Sequence, residues 1–269
     1  MKLQMNDGRE IPALGYGTWR VTNEQSEACV IDALSVGYRH IDTARIYENE
    51  VGVGSGIAHS GIDREEIFLT TKLWTDGQED PETALAQSLK RLKLDYVDLY
   101  LIHWPVPARN LYPRVWEKLI QLREKGMTLS IGVSNFHPEY LDALKSSGVV
   151  PAVNQVELHP GFANRAVADY NTEAGILTEC YCPLGRGQYL SDSLLTDIAS
   201  RLGATTAQVI LAWHLAKGYV PLPKSGTPAR IQENFEAQQL TLTEEDVAEI
   251  DGISQSPKIC ADPANFTGL

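Results

Sequence analysis

Eight short strand-like runs alternate with helix-like stretches along this chain, and three of the early runs lead into residues that ionise. His40-Ile41 leads into Asp42, with Tyr47 five residues further on in a polar loop. Ile67 to Thr71 leads into Lys72, and Val97 to Ile102 leads into His103. Asp, Tyr, Lys and His at separate strand ends converge only in a fold that gathers those ends on one face. A closed parallel barrel does this. The alternation therefore predicts an α/β chain of the TIM (β/α)8 type.

The eight predicted strands cover 13–17, 40–42, 66–71, 96–102, 128–133, 152–156, 176–179 and 220–223. Pro221 and Pro223 suit the end of a strand better than its centre. Asn6-Asp7-Gly8 is a tight-turn signal between two extended pieces, which predicts an N-terminal β-hairpin. Thr22 with Gln25 reads as a capping box before Ala28, Ile31 and Leu34. Asp80-Pro81-Glu82 opens another helix, with Leu85, Leu89 and Leu92 as its buried stripe. Thr243 to Asp246 caps a last helix through Val247 and Ile250. Gly52, Gly54 and Gly56 imitate a phosphate loop, but an acidic segment separates them from the strand, so close helix packing is expected instead. No linker or repeat interrupts residues 1–269, which predicts one domain, with an irregular tail from 255 to 269.

Composition excludes several classes. The formal net charge of -12 opposes binding to nucleic acid or to an anionic membrane, although a local basic patch can still take an anionic substrate. No apolar run reaches the roughly 18 residues of a membrane helix, and the start lacks a signal-peptide core. A cytoplasmic monomer acting on a small molecule is the expectation. Cys29, Cys180, Cys182 and Cys260 lack zinc-like spacing, so free thiols and no metal are expected.

The four strand-end residues suit carbonyl reduction. A phenol has a pKa near 10 and is a poor acid at neutral pH. An ammonium beside it favours the phenolate and lowers that value. Lys72 can supply the charge, Asp42 can hold Lys72, and His103 can hydrogen-bond the carbonyl beside Tyr47. No side chain carries a hydride, so a cofactor is required.

With Gly15-Tyr16-Gly17-Thr18-Trp19 near the start and the segment around Asn234 near the end, this set resembles the aldo-keto reductases. The likeness is strongest to short bacterial members that reduce diketo-gluconate and small dicarbonyls such as methylglyoxal. The resemblance implies that Asp42, Tyr47, Lys72 and His103 form the catalytic tetrad and that the hairpin plugs the barrel bottom. It implies NADP(H) as cofactor. Ser134, Asn135 and Gln155 would bind the nicotinamide carboxamide, and Tyr181 would stack on its ring. Lys224, Ser225 and Arg230 would take the ribose phosphate, and Asn234 the adenine. Gly226 departs from the branched residue common at its position. Trp19, Trp74 and Trp104 would wall the substrate slot. With little room for long loops or a long tail, a small, polar, open-mouthed site is expected, and Arg45 and Arg109 are candidates for a sugar-acid carboxylate. The alternatives are a sugar-alcohol dehydrogenase on the same barrel, a non-catalytic NADP-binding accessory protein, and a phosphate-binding barrel lyase or isomerase.

Overall fold

The computed structural model describes residues 1–268. It opens with a hairpin of β1 (Lys2–Gln4) and β2 (Glu10–Pro12), paired antiparallel around Gly8, whose φ is 86°. Asn6 Nδ2 in the turn donates to the Pro151 and Gly175 carbonyls at 2.9 and 3.0 Å. Both carbonyls lie just ahead of barrel strands, so the hairpin sits where strands begin. Met5 and Ile11 are buried with Leu99, Leu101, Val153 and Val220. The hairpin thus covers the end of the barrel opposite the strand exits.

Eight strands follow: β3 (Tyr16–Gly17), β4 (His40–Asp42), β5 (Phe68–Leu73), β6 (Val97–Ile102), β7 (Thr128–Ser134), β8 (Val153–Glu157), β9 (Leu177–Tyr181) and β10 (Val220–Pro221). They pair in chain order, all parallel. Every residue of β5 is buried, as expected for a strand covered on both faces. The barrel closes between its first and last strands. Gly15 N–H donates to the Pro221 carbonyl at 3.1 Å, and Gly17 N–H to the Pro223 carbonyl at 3.0 Å. A proline can accept there but has no N–H to give. The seam also favours glycine, because a Cβ at Gly15 would lie 2.7 Å from Nδ1 of the buried His40 ring as well as 2.5 Å from Leu222 Cδ2.

The strands are joined by α1 (Asn23–Val36), α2 (Glu50–His59), α3 (Pro81–Leu92), α4 (Tyr112–Glu124), α5 (Pro138–Leu144), α6 (Arg165–Glu173), α7 (Ser193–Leu202), α8 (Thr206–Ala216), α9 (Pro228–Glu236) and α10 (Glu244–Asp251). Leu85 and Leu92 of α3 are fully buried and Leu89 nearly so. Burial of each such side chain contributes about 1.5–3 kcal/mol. Asp80 accepts from Thr83 N–H and caps α3. Gly52 and Gly54 in α2 are packing glycines, as expected: a Cβ on either would lie 2.2 Å from a backbone oxygen of a neighbouring element.

Two local expectations fail. Thr22 precedes α1, but its side chain caps nothing, and Gln25 N–H goes to the Thr22 carbonyl instead. The same pattern forms real capping boxes at Thr205/Gln208 and Thr243/Asp246. The third barrel strand also runs two residues further than 66–71, so Lys72 lies inside β5. Its polar residues find partners on both faces, Thr70 and Lys72 inside the barrel and Thr71 on Glu50 of α2, and so do not break the strand.

Candidate active site

Lys72 is the centre of the site. Neighbouring β4 and β5 pair Asp42 with Thr70, two residues before it. The Lys72 side chain is fully buried. Its Nζ donates to Asp42 Oδ1 at 2.7 Å and to the Thr43 carbonyl at 2.8 Å, and lies 3.4 Å from the Tyr47 hydroxyl. Tyr47 closes a single 3-10 turn after β4. Asn49 pins that turn by accepting from Thr43 Oγ1 and donating to the carbonyls of Thr18 and Val21. His103 leaves β6, and its carbonyl is held by Asn135 Nδ2 at 3.0 Å. Its ring meets Tyr47 edge-on, with centroids 5.8 Å apart. The structure therefore brings Asp42, Tyr47, Lys72 and His103 together.

Electrostatics at the four residues are unequal. Burial opposes the Lys72 charge, but Asp42 and the Tyr47 oxygen outweigh it and hold the ammonium above its ordinary range. Burial, with the Lys72 charge second, pushes His103 well below its ordinary value, so its imidazole is neutral at pH 7. Tyr47 departs from expectation. Lys72 does pull its pKa down, but burial is the larger influence, and the phenol is pushed up to about 12.

A second buried chain of polar groups runs inward from Asp42. Gln155 Nε2 donates to Asp42 Oδ2 at 2.9 Å and to Glu179 Oε2 at 2.7 Å. Glu179 Oε1 lies 3.5 Å from His40 Nε2, which is 3.1 Å from Thr70 Oγ1. Burial and the nearby Asp42 charge push Glu179 up to about 8, and burial pushes His40 down to about 3. Both are thus largely neutral at pH 7, which leaves Lys72 and Asp42 as the charged pair. Glu179 and His40 were not singled out in the sequence. The available signal is an ionisable side chain within a strand.

The other expected residues fall into two groups. Ser134, Asn135, Gln155 and Tyr181 meet at the ends of β7, β8 and β9. Ser134 Oγ donates to the Gln155 carbonyl at 2.8 Å, and the Tyr181 hydroxyl donates to Asn135 Oδ1 at 2.7 Å. Both Gln155 amide hydrogens are engaged, so its Oε1 remains as an acceptor. Lys224, Ser225, Arg230 and Asn234 gather after β10 and along α9. Lys224 and Arg230 are exposed there, while Ser225 and Asn234 are buried. Tyr16 donates to the Ser225 carbonyl at 2.6 Å and holds that loop to the same rim.

Aromatic rings stand at the mouth. Trp74 meets His103 at 5.1 Å, and Phe266 from the tail stacks on Trp104 at 4.1 Å and meets Trp74 at 5.9 Å. The Trp19 ring carries the guanidinium groups of Arg20 and Arg186 at 4.4 and 5.2 Å from its centroid. Arg45 and Arg109 pair with Asp76 at 3.0 Å and with Glu79 at 3.2 Å in solvent-accessible contacts for which a substrate carboxylate would compete. The tail is anchored by buried Glu157, whose carboxylate accepts from Ile259 N–H at 2.6 Å and Cys260 N–H at 2.9 Å. Lys258 adds an ion pair to it at 3.3 Å. Sequence reasoning left the tail without a role because it has no periodic pattern.

Residues 13–255 match the aldo/keto reductase family. This chain belongs to that family. It is 42% identical to methylglyoxal reductase DkgA of Escherichia coli, over 99% of this chain and 98% of that protein. An aldo/keto reductase from Brucella melitensis superposes with a TM-score of 0.90 at 47% identity, covering 94% of this chain and 98% of that one. A mutant of Gox0644 solved in complex with NADPH superposes with a TM-score of 0.95 at 40% identity, covering 99% and 98% of the two chains. These likenesses run the length of the barrel. Among the described residues no helix is long and apolar enough to cross a membrane.

Proposed function

We propose that this aldo-keto reductase uses NADPH to reduce small dicarbonyls to hydroxycarbonyls, with Tyr47 giving the proton. The observation that carries the reading is Lys72, buried, bonded to Asp42 and within 3.4 Å of the Tyr47 hydroxyl. NADPH, when bound, supplies the hydride. Tyr47 donates its proton to the carbonyl oxygen, and the Lys72 ammonium stabilises the phenolate left behind. Neutral His103 offers one ring N–H to the same oxygen as charge develops on it. Asp42 keeps Lys72 in place.

The remaining residues suit the cofactor. Gln155 Oε1 and Asn135 Oδ1 can accept from the N–H groups of a carboxamide, and the Tyr181 ring beside them offers a face for the nicotinamide. Lys224 and Arg230 stand exposed around the start of α9, where two cations favour an anion such as a ribose phosphate. Ser225 can add a hydroxyl there, and Asn234 lies one helical turn beyond Arg230, within the adenosine end. Trp74, Trp104 and Phe266 leave an aromatic slot that favours a small substrate, and the methylglyoxal reductase relative supports a dicarbonyl.

The test is a substrate panel followed by NADPH absorbance, covering methylglyoxal, diketo-gluconate, aromatic aldehydes and aldoses. Turnover highest on the dicarbonyls is expected. NADPH binding without oxidation by any carbonyl would leave an accessory protein as the better reading.

A further inference from the structure

Four cysteines divide into two kinds. Cys29 and Cys180 are buried. Cys182 and Cys260 are half-buried, and their sulfurs lie 3.8 Å apart, in direct contact. They come from distant parts of the chain. Cys182 is the residue after Tyr181 at the exit of β9, and Cys260 is on the tail, its N–H held by Glu157. Arg186 Nη2 lies 3.4 Å from the Cys260 sulfur. We propose that Cys182 and Cys260 form an oxidisable dithiol that a peroxide converts to a disulfide, strapping the tail to the exit of β9.

The geometry is prepared for that reaction. Both backbones are anchored, and a disulfide needs the sulfurs to close to about 2.05 Å. The hydrogen bond from Cys260 draws the Cys182 thiol below its ordinary range despite burial, and the Arg186 charge adds to this, while Cys260 is pushed up as holder of the shared proton. The thiolate is the attacking form. Cys182 sulfur attacks one peroxide oxygen, the O–O bond breaks, and the other oxygen leaves as hydroxide and takes up a proton to become water. Cys182 is then a sulfenic acid. Cys260 sulfur attacks the Cys182 sulfur, the S–O bond breaks, and the hydroxyl leaves with the Cys260 proton as a second water. Two thiols are oxidised and one peroxide is reduced.

The bridge changes access to the site. Lys258, two residues before Cys260, lies 3.4 Å from the Tyr181 hydroxyl, so the strapped tail passes at the hydroxyl edge of Tyr181. This part rests on the proposed seat of the nicotinamide beside Tyr181. With the tail covalently held, NADPH enters more slowly.

The experiment treats the purified full-length protein with hydrogen peroxide, counts thiols after denaturation, maps bridged peptides and follows NADPH association by stopped-flow fluorescence. Two of the four thiols should disappear, one bridged peptide should pair Cys182 with Cys260, and association should slow several-fold. A dithiol reductant should reverse both changes. Cys260→Ser should bind NADPH at the same rate before and after peroxide, and the peptide map of the unmutated protein decides the bridge if that variant does not fold. Four surviving thiols, a different pairing, or oxygen added to Cys182 beside a free Cys260 would each overturn the dithiol. A bridge that leaves NADPH association unchanged would overturn the strap. Reduced protein that fails to bind NADPH would count against the cofactor reading alone, since the peptide map needs no cofactor.

Discussion

Glu157 accepts the backbone N–H of Cys260 at 2.9 Å, and so a carboxylate at the end of β8 fixes a segment more than one hundred positions later in the chain. Ile259 N–H and the Lys258 ammonium share the same carboxylate. Burial works against the charge. The hydrogen bonds from His159, Ile259 and Cys260, with Lys258, overcome it and draw the carboxyl down to about 2.

The first prediction concerns this anchor. The folded carboxyl titrates below its ordinary value of 4.5, so its contribution to tail docking is complete above that pH. The contribution falls away as pH drops from there toward about 2. Amide hydrogen exchange at Ile259 and Cys260 should show protection that weakens in that acid window. Glu157→Gln at neutral pH should lose about 1–3 kcal/mol of protection at both amides, the cost of replacing a charged acceptor. Unchanged exchange in that variant would mean the tail is held from elsewhere.

The second concerns the proton donor. Tyr47→Phe should fold and bind NADPH normally, but single-turnover reduction of a dicarbonyl should slow by roughly 10²–10⁴-fold. Because His103 is held neutral, the reduction rate should also show no limb near pH 6.5. Near wild-type speed in Tyr47→Phe would remove the tyrosine from the mechanism.

Lys72→Met tests support for the phenol. It removes the ammonium and leaves Asp42 buried without its partner, so stability should drop by about 3–5 kcal/mol. Chemical denaturation measures that loss, and turnover of the folded fraction should fall as well. Asp42→Asn should be milder, because Lys72 keeps the Thr43 carbonyl as a partner. Equal activity per folded molecule in Lys72→Met and wild type would contradict the electrostatic role.

Cofactor choice gives the fourth. Lys224→Ala and Arg230→Ala should each weaken NADPH by about 1.5–3 kcal/mol while NADH is little affected, since only NADPH carries the extra phosphate. Fluorescence titration of both variants with both cofactors measures this. Parallel losses for the two would mean these cations do not contact the phosphate.

Phe266→Ala gives the fifth. The ring stacks on Trp104 and meets Trp74, so its removal should widen the slot. The KM for methylglyoxal should rise while bulkier aromatic aldehydes gain turnover. An unchanged substrate panel would place Phe266 outside the substrate path.

Asp42, Lys72 and His103 were legible in the sequence because each follows an apolar run, and the barrel gathers such positions by its construction. Other features depend on where distant segments meet. Phe266 lies in a stretch without periodicity, and nothing local points to Trp104. Glu157 reads as one more polar residue at a strand end until the tail arrives. Thr22 and Thr205 carry the same pattern, but only at Thr205 does the side chain reach the helix N-terminus. The acidity of Tyr47 differs from expectation for a related reason: the sequence shows a cation to pair with it but not the depth of burial around the ring.

The seam at Pro221 and Pro223 bears on how the chain survives its own folding. Before Gly15 and Gly17 dock, the eight-stranded sheet is open and β10 is an exposed edge. Leu222 N–H already points inward to the Cys180 carbonyl, and the two prolines flanking it have no N–H to offer. An incoming strand from another molecule finds acceptors there but no donors, which blunts the edge as a template for aggregation. Gly15 and Gly17 of the same chain donate to both proline carbonyls, so closure of the barrel removes the acceptors that the edge leaves open.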